Sequence, residues 1–159
     1  MNYIVRKANP EDLPRIEEIY AYARAFMAET GNPNQWGKTH PPVDRLKQDI
    51  LERKLHVVVC DVIHGVFYFA REEDPTYLKI DGAWHEDREY GVIHRIAGDG
   101  SGGVLKAAVE YAGTQCDYLR IDTHEENTVM QRALGKLGFK RCGIIYLENG
   151  DPRIAFDRV

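Results

Sequence analysis

Leu13, Ile16, Ile19, Tyr20, Ala23, Phe26 and Met27 recur at three- and four-residue intervals, which predicts an amphipathic helix with one buried stripe. Asn9 is placed to cap it, Pro10 fits its first position, and Glu11 and Asp12 fall in the first turn, where the helix dipole favours acids. Gly31 ends the pattern. The segment "GNPNQWGKTHPP" reads as a loop, and the polar-apolar alternation of a second helix runs from Val43 to Arg53. A strand over Tyr3–Lys7 precedes all of this.

The middle of the chain switches to runs of β-branched and aromatic residues. "LHVVVC" and "GVFYFA" predict two strands joined around "DVIHG" as a hairpin, and a further strand is expected over Thr76–Ile80, before the acidic loop "DGAWHEDRE". Then strand "YGVIHRIA", the bend "GDGSGG", a helix over Ser101–Gln115 and strand "YLRI" follow in sequence. That order is a β-α-β crossover, so two strands must run parallel with the helix across them. A helix over Glu126–Leu137 closes at Gly138, and Asn149-Gly150 marks a turn between two final strands. The expectation is one α/β domain, residues 1–159, with a mixed sheet.

Composition narrows the function. The chain has 159 residues, 43% apolar and 29% charged, with a net charge of −4. Nothing basic enough to hold nucleic acid is present, and a cationic partner is mildly favoured. No apolar run approaches a membrane span and "MNYIVRKANPEDL" lacks a signal peptide's apolar core, so the expected location is the cytoplasm, away from membranes. Cys60, Cys116 and Cys142 are odd in number and far apart, which suits neither a disulfide framework nor paired-cysteine metal ligation. No other metal-binding spacing occurs, and no metal is expected.

The glycine bend carries the candidate chemistry. A strand leading through glycines into a helix presents free amides and a positive dipole end, which is a site for an anion such as phosphate. No Gly-Lys-Ser/Thr ends the bend, so it is not a nucleoside-triphosphate loop. Gly98, Gly100 and Gly103 do spell G-x-G-x-x-G, with Asp122 at the end of the next strand, as in dinucleotide-binding folds. Against that reading, too few parallel strands can follow Asp122, and His94 and Arg95 interrupt what should be an apolar central strand. A tight turn that binds nothing is the remaining alternative. Asp122-Thr123-His124 has no serine or cysteine elbow to make it part of a nucleophile triad.

"HRIAGDGSGGVLKAAVEYA" resembles the acetyl-CoA motif of the GNAT family of N-acetyltransferases. "LRIDTHEENTVMQRALGKLGFKRCGII" resembles the segment that follows it there. The resemblance implies a mostly antiparallel mixed sheet whose central parallel pair splays, flanked by helices, with acetyl-CoA as cosubstrate. Its diphosphate would lie on Gly98, Gly100, Ser101, Gly102, Gly103 and Val104, and its pantetheine arm along Ile96, Ala97 and Gly98, steered by Asn127. It implies direct transfer of acetyl to a primary amine of a small molecule or peptide, with a backbone amide polarising the thioester carbonyl and Asn127 at the family's asparagine position, where a helix cap is the other reading. His94 is the candidate catalytic proton acceptor, against a core histidine, and Asp122 and His124 are alternative acids or bases, against solvated turn residues. Strand alternation places His94 and Ile96 on one face and turns Arg95 away as an ion-pair partner. Trp36, Trp84, His94 and His124 are the expected acceptor contacts. Glu86, Asp87 and Glu89 would add negative potential for a cationic amine. The alternative uses of the tryptophans are a homodimer contact or cover for the core. Three positions depart from the family pattern: Leu105 replaces the second motif glycine, Gly102 a basic residue, and Leu134 the tyrosine that serves as general acid. These departures leave a non-catalytic acyl-CoA sensor as the competing function.

Overall fold

The computed structural model describes residues 2–159. Eight strands, β1 (Ile4–Lys7), β2 (Leu55–Cys60), β3 (Val62–Arg71), β4 (Asp81–Gly82), β5 (Gly91–Gly98), β6 (Leu119–Thr123), β7 (Lys140–Tyr146) and β8 (Pro152–Arg158), form one sheet in the order β1-β2-β3-β5-β6-β8-β7-β4. All neighbours pair antiparallel except β5 and β6. Helices α1 (Leu13–Glu29) and α2 (Val43–Leu51) bury Ile16, Ile19, Tyr20, Leu46 and Ile50 against one face of the sheet. On the other, α3 (Val104–Gln115) and α4 (Thr128–Lys136) bury Val104, Ala108, Val109, Ala112 and Leu134. The single parallel pair among the described residues removes the doubly wound sheet that a dinucleotide oxidoreductase would need.

Two predicted elements differ in form. The strand expected over Thr76–Ile80 is instead a 3-10 turn over Pro75–Tyr77, with only Asp81 and Gly82 pairing to β7. Asp74 explains this, because its carboxylate accepts from both the amide and the hydroxyl of Thr76 and so competes with extended pairing. The helix expected from Ser101 begins at Val104, since Gly102 and Gly103 are left-handed at φ +86° and +79°. That delay keeps the bend open for three residues more.

Two irregularities shape the centre of the sheet. The parallel pair is in register only at Gly91↔Leu119 and Val92↔Arg120, after which β5 and β6 part. In addition, β5 bulges against β3: His94 faces Tyr68 and Ala97 faces Val66, so Arg95 and Ile96 together stand opposite Phe67. Arg95 takes φ +50°, a conformation that costs about 1 kcal/mol or more for a residue with a side chain. Three contacts hold it there. The Tyr20 hydroxyl donates to the Arg95 carbonyl at 2.7 Å, the guanidinium meets buried Asp49 at 2.6 Å, and it lies 4.6 Å from the Tyr68 ring centre.

The bulge overturns the expected alternation. His94 and Arg95 both project toward the α1/α2 face, where their partners are Tyr68, Tyr77 and Asp49, while Ile96 packs with the α3/α4 core. Arg95 is the ion-pair partner expected, on the face not expected.

Candidate active site

The glycine bend is built from both sides. Val104, the first residue of α3, sits over Gly65 and Gly98, where any added Cβ would meet its methyls, so the helix start is pressed onto β3 and β5. The Val104 side chain therefore belongs to the core and offers the bend only its amide. At Gly100 a side chain would collide with the Tyr22 hydroxyl, and the Tyr3 hydroxyl donates to the Gly102 carbonyl at 2.7 Å. Among the described residues, no acceptor meets the amides of Gly102, Gly103, Val104, Leu105 and Lys106. They are the unpaired donors of a helix start, aligned with its positive end. Leu105, at the second motif glycine, packs into the α3/α4 core instead of filling the bend.

An aspartate in a phosphate loop would oppose its ligand. Asp99 is neutralised from behind: Arg15 and His64 each lie 2.8 Å from its Oδ2, and Ser101 donates its amide to Oδ1. Burial pushes its carboxyl up, but the bonds from Ser101 and His64 outweigh that and hold it below the usual carboxylate range. Ser101 Oγ also meets His64 Nδ1 at 2.9 Å, so this serine side chain is engaged within the protein.

At the other end of the crevice, where β5 and β6 begin to part, four polar side chains converge. His94 Nε2 lies 2.8 Å from Asp74 Oδ2, and its Nδ1 lies 3.9 Å from Asp122 Oδ2 on β6. Tyr77 donates to the same Asp122 oxygen at 2.6 Å. Burial pushes Asp74 up, yet hydrogen bonds from His94 and Thr76 win and set it at about 2. Tyr77 is held well above the ordinary phenol range by burial and by Asp122, so it remains a donor. Asp74 thus fixes one ring nitrogen of His94 and leaves the other facing across the strand gap, toward β6.

Asn127 caps α4 by accepting the Met130 amide at 3.0 Å, while its Nδ2 donates to Gln35 Oε1 at 3.1 Å. The loop between α1 and α2 therefore reaches the open side of β6: Gln35 Oε1 also lies 3.4 Å from the His124 amide and from Thr123 Oγ1, and Asn34 binds Glu126. His124 Nδ1 accepts the Glu126 amide, which makes it part of a turn beside the gap. Trp36 of the same loop packs edge-on against Tyr20, at 5.6 Å. Leu134, at the family's tyrosine position, is fully buried and offers no proton.

Trp84 is held from within the fold. Its Nε1 donates to the Tyr77 carbonyl and the guanidinium of Arg120 lies 4.2 Å from its ring centre, so its π-surface is already engaged by an internal cation. The acidic loop around it precedes β5 and lies at the paired end of the two strands, where Glu86 binds Arg88 and Glu89 binds Arg71.

Sequence reasoning brought His94, Asp122 and Asn127 to this site but missed Asp74, Tyr77 and Gln35. Asp74-Pro75-Thr76 was the available signal, since that triplet favours a side-chain-capped turn over a strand.

No family model and no curated protein matches the chain. Solved structures do. A GNAT-family acetyltransferase from Streptococcus agalactiae 2603 is 30% identical, aligns over 99% of this chain and 95% of its own, and gives a TM-score of 0.88. A GNAT-family acetyltransferase from Listeria monocytogenes 4b F2365 shares the fold at 18% identity, 98% and 94% coverage and a TM-score of 0.71. So does a ribosomal-protein-alanine N-acetyltransferase from Brucella melitensis, at 16% identity, 98% and 99% coverage and 0.65.

Proposed function

The chain belongs to the GNAT family of acetyltransferases, and from that premise we propose that it moves the acetyl group of acetyl-CoA directly onto a primary amine of a small molecule or peptide. The observation that carries the reading is the parting of β5 and β6 after Val92, with unpaired amides at the open end and His94 at the closed one. The bend fits a diphosphate: five amides without acceptors, a helix dipole and an internally neutralised Asp99. The amides of Gly102–Lys106 would hold it, with the pantetheine arm along Ile96–Gly98 beside Asn127.

Acetyl-CoA supplies an activated acyl group. The chain's own residues must do three things. First, backbone donors on the bulged stretch of β5 polarise the thioester carbonyl, which needs no side chain. Second, His94 accepts the proton that the amine gives up, through the ring nitrogen not bound to Asp74. Third, Asp74 keeps that nitrogen facing the strand gap and stabilises the imidazolium that forms. The leaving thiolate has an ordinary thiol's basicity and takes its proton from solvent, so burial of Leu134 leaves transfer feasible. Asp122, opposite His94, adds the negative potential that favours a cationic acceptor.

A thiol-release screen with acetyl-CoA against polyamines, amino acids, aminoglycosides and peptide N-termini tests this. Acetyl-CoA-dependent thiol release with at least one amine class is expected. Stoichiometric binding of acetyl-CoA with no release across the panel would replace the enzyme by an acyl-CoA sensor.

A further inference from the structure

A second cluster of reactive side chains lies away from the strand gap. His85 from the loop after β4, Cys142 from β7 and Asp157 from β8 bring one nitrogen, one sulfur and one carboxylate oxygen within 4.8 Å of one another. Cys142 stands at a register slip between Arg141 and Gly143, and Asp157 is buried. The three arise from distant positions, so sequence spacing gave no sign of them.

A cysteine-histidine-aspartate set invites a nucleophile reading, which the geometry rejects. A relay needs the two partners on different ring nitrogens. Here Cys142 Sγ, at 3.4 Å, and Asp157 Oδ1, at 2.6 Å, both address Nδ1 of His85.

Convergence on a single point is what a cation requires. We infer that His85, Cys142 and Asp157 form a three-ligand site for a zinc-class divalent metal. Bond lengths of about 2.3 Å to sulfur and about 2.0 Å to nitrogen put tetrahedral ligands about 3.5 Å apart, close to the Sγ···Nδ1 separation. The Nδ1···Oδ1 contact must widen by roughly 0.7 Å, and His85, on a partly exposed loop, can turn to allow it. A mixed sulfur, nitrogen and oxygen set suits zinc better than magnesium or calcium.

The surroundings support the ligands. Asp157 Oδ2 accepts from the Tyr118 hydroxyl at 2.7 Å and from the His85 amide at 2.8 Å, leaving Oδ1 as its inner oxygen. The nearby cation Arg120 is engaged by the rings of Trp84 and Tyr90, at 4.2 and 4.1 Å, and by the Glu86 carbonyl. A bound metal would clamp the loop carrying His85 to β7 and β8, independent of acetyl transfer.

The test is a Co2+ titration of the reduced, untagged, full-length chain, followed by absorbance. A one-to-one complex with a near-ultraviolet thiolate-to-cobalt band, displaced by Zn2+, is expected. Cys142→Ser should abolish the band, His85→Ala should weaken binding by roughly tenfold or more, and Cys60→Ser should leave it intact. Circular dichroism confirms that each variant is folded. No band with folded protein, or a band that survives Cys142→Ser, overturns the site.

Discussion

Two of the histidine-aspartate pairs in the molecule look alike: His94 with Asp74 at 2.8 Å and His85 with Asp157 at 2.6 Å. Their difference lies in what the histidine meets next. In the first pair the aspartate takes one ring nitrogen and the other faces β6 across the point where the central strands part. In the second, the aspartate and a thiol crowd the same nitrogen. The first arrangement can pass a proton, because one nitrogen is held while the other exchanges. The second suits an ion, because three donors share one point. A pair of residues does not define chemistry until the third neighbour is known.

The strongest way to break this comparison is His94→Ala. Loss of a positioned base costs about 100- to 10,000-fold in turnover, so thiol release should fall by that order while the acetyl-CoA concentration for half-saturation stays nearly fixed. The same variant should give the cobalt band at full strength. Steady-state kinetics and one absorbance titration check both halves. Unchanged turnover would remove His94 from the chemistry.

The sequence made the frame of the first pair visible and left the second hidden. The crossover from "YGVIHRIA" to "YLRI" required two parallel strands, and the glycine bend between them stands where expected. Period-two alternation failed at Arg95, because a bulge that depends on Tyr20, Asp49 and Tyr68 is a tertiary choice with no local signal. Asp74 was missed since a run of apolar and β-prone residues after it outweighed the capped turn it makes. Arg120, far along the chain, lies against the Trp84 ring, a partner that no local pattern reveals. Local elements follow local patterns; side-chain partners at long separation do not.

A smaller effect sharpens the role of Asp74. Its folded pKa of about 2 lies below the ordinary 3.8, so it contributes stability that is complete above its unfolded pKa and is lost as pH falls through the folded one. The contribution is on the order of 2 kcal/mol. Asp74→Asn should therefore lower stability near neutrality and flatten its loss between about pH 4 and pH 2. Denaturant melts across that range measure the slope. Equal slopes for both proteins would mean that His94 and Thr76 do not hold the carboxylate. In the kinetic assay Asp74→Asn should reduce turnover less than His94→Ala does, as a positioning residue would.

The smallest effect separates two uses of one side chain. Asn127 caps α4 through its oxygen and reaches Gln35 through its nitrogen. Asn127→Ala removes both and should cost about 1 kcal/mol of stability. Asn127→Asp keeps an equally good cap, so its melting temperature should stay close to the parent's, but it replaces the donor with a negative charge beside the proposed pantetheine track. If the nitrogen serves acetyl-CoA, both variants should raise the apparent acetyl-CoA requirement several-fold, though only the alanine form loses stability. If the requirement follows stability alone, Asn127 is a helix cap and the steering of the thioester arm falls to the backbone of β5. As with the two histidines, the atom left over after the structural bond is made decides whether the residue has chemistry to do.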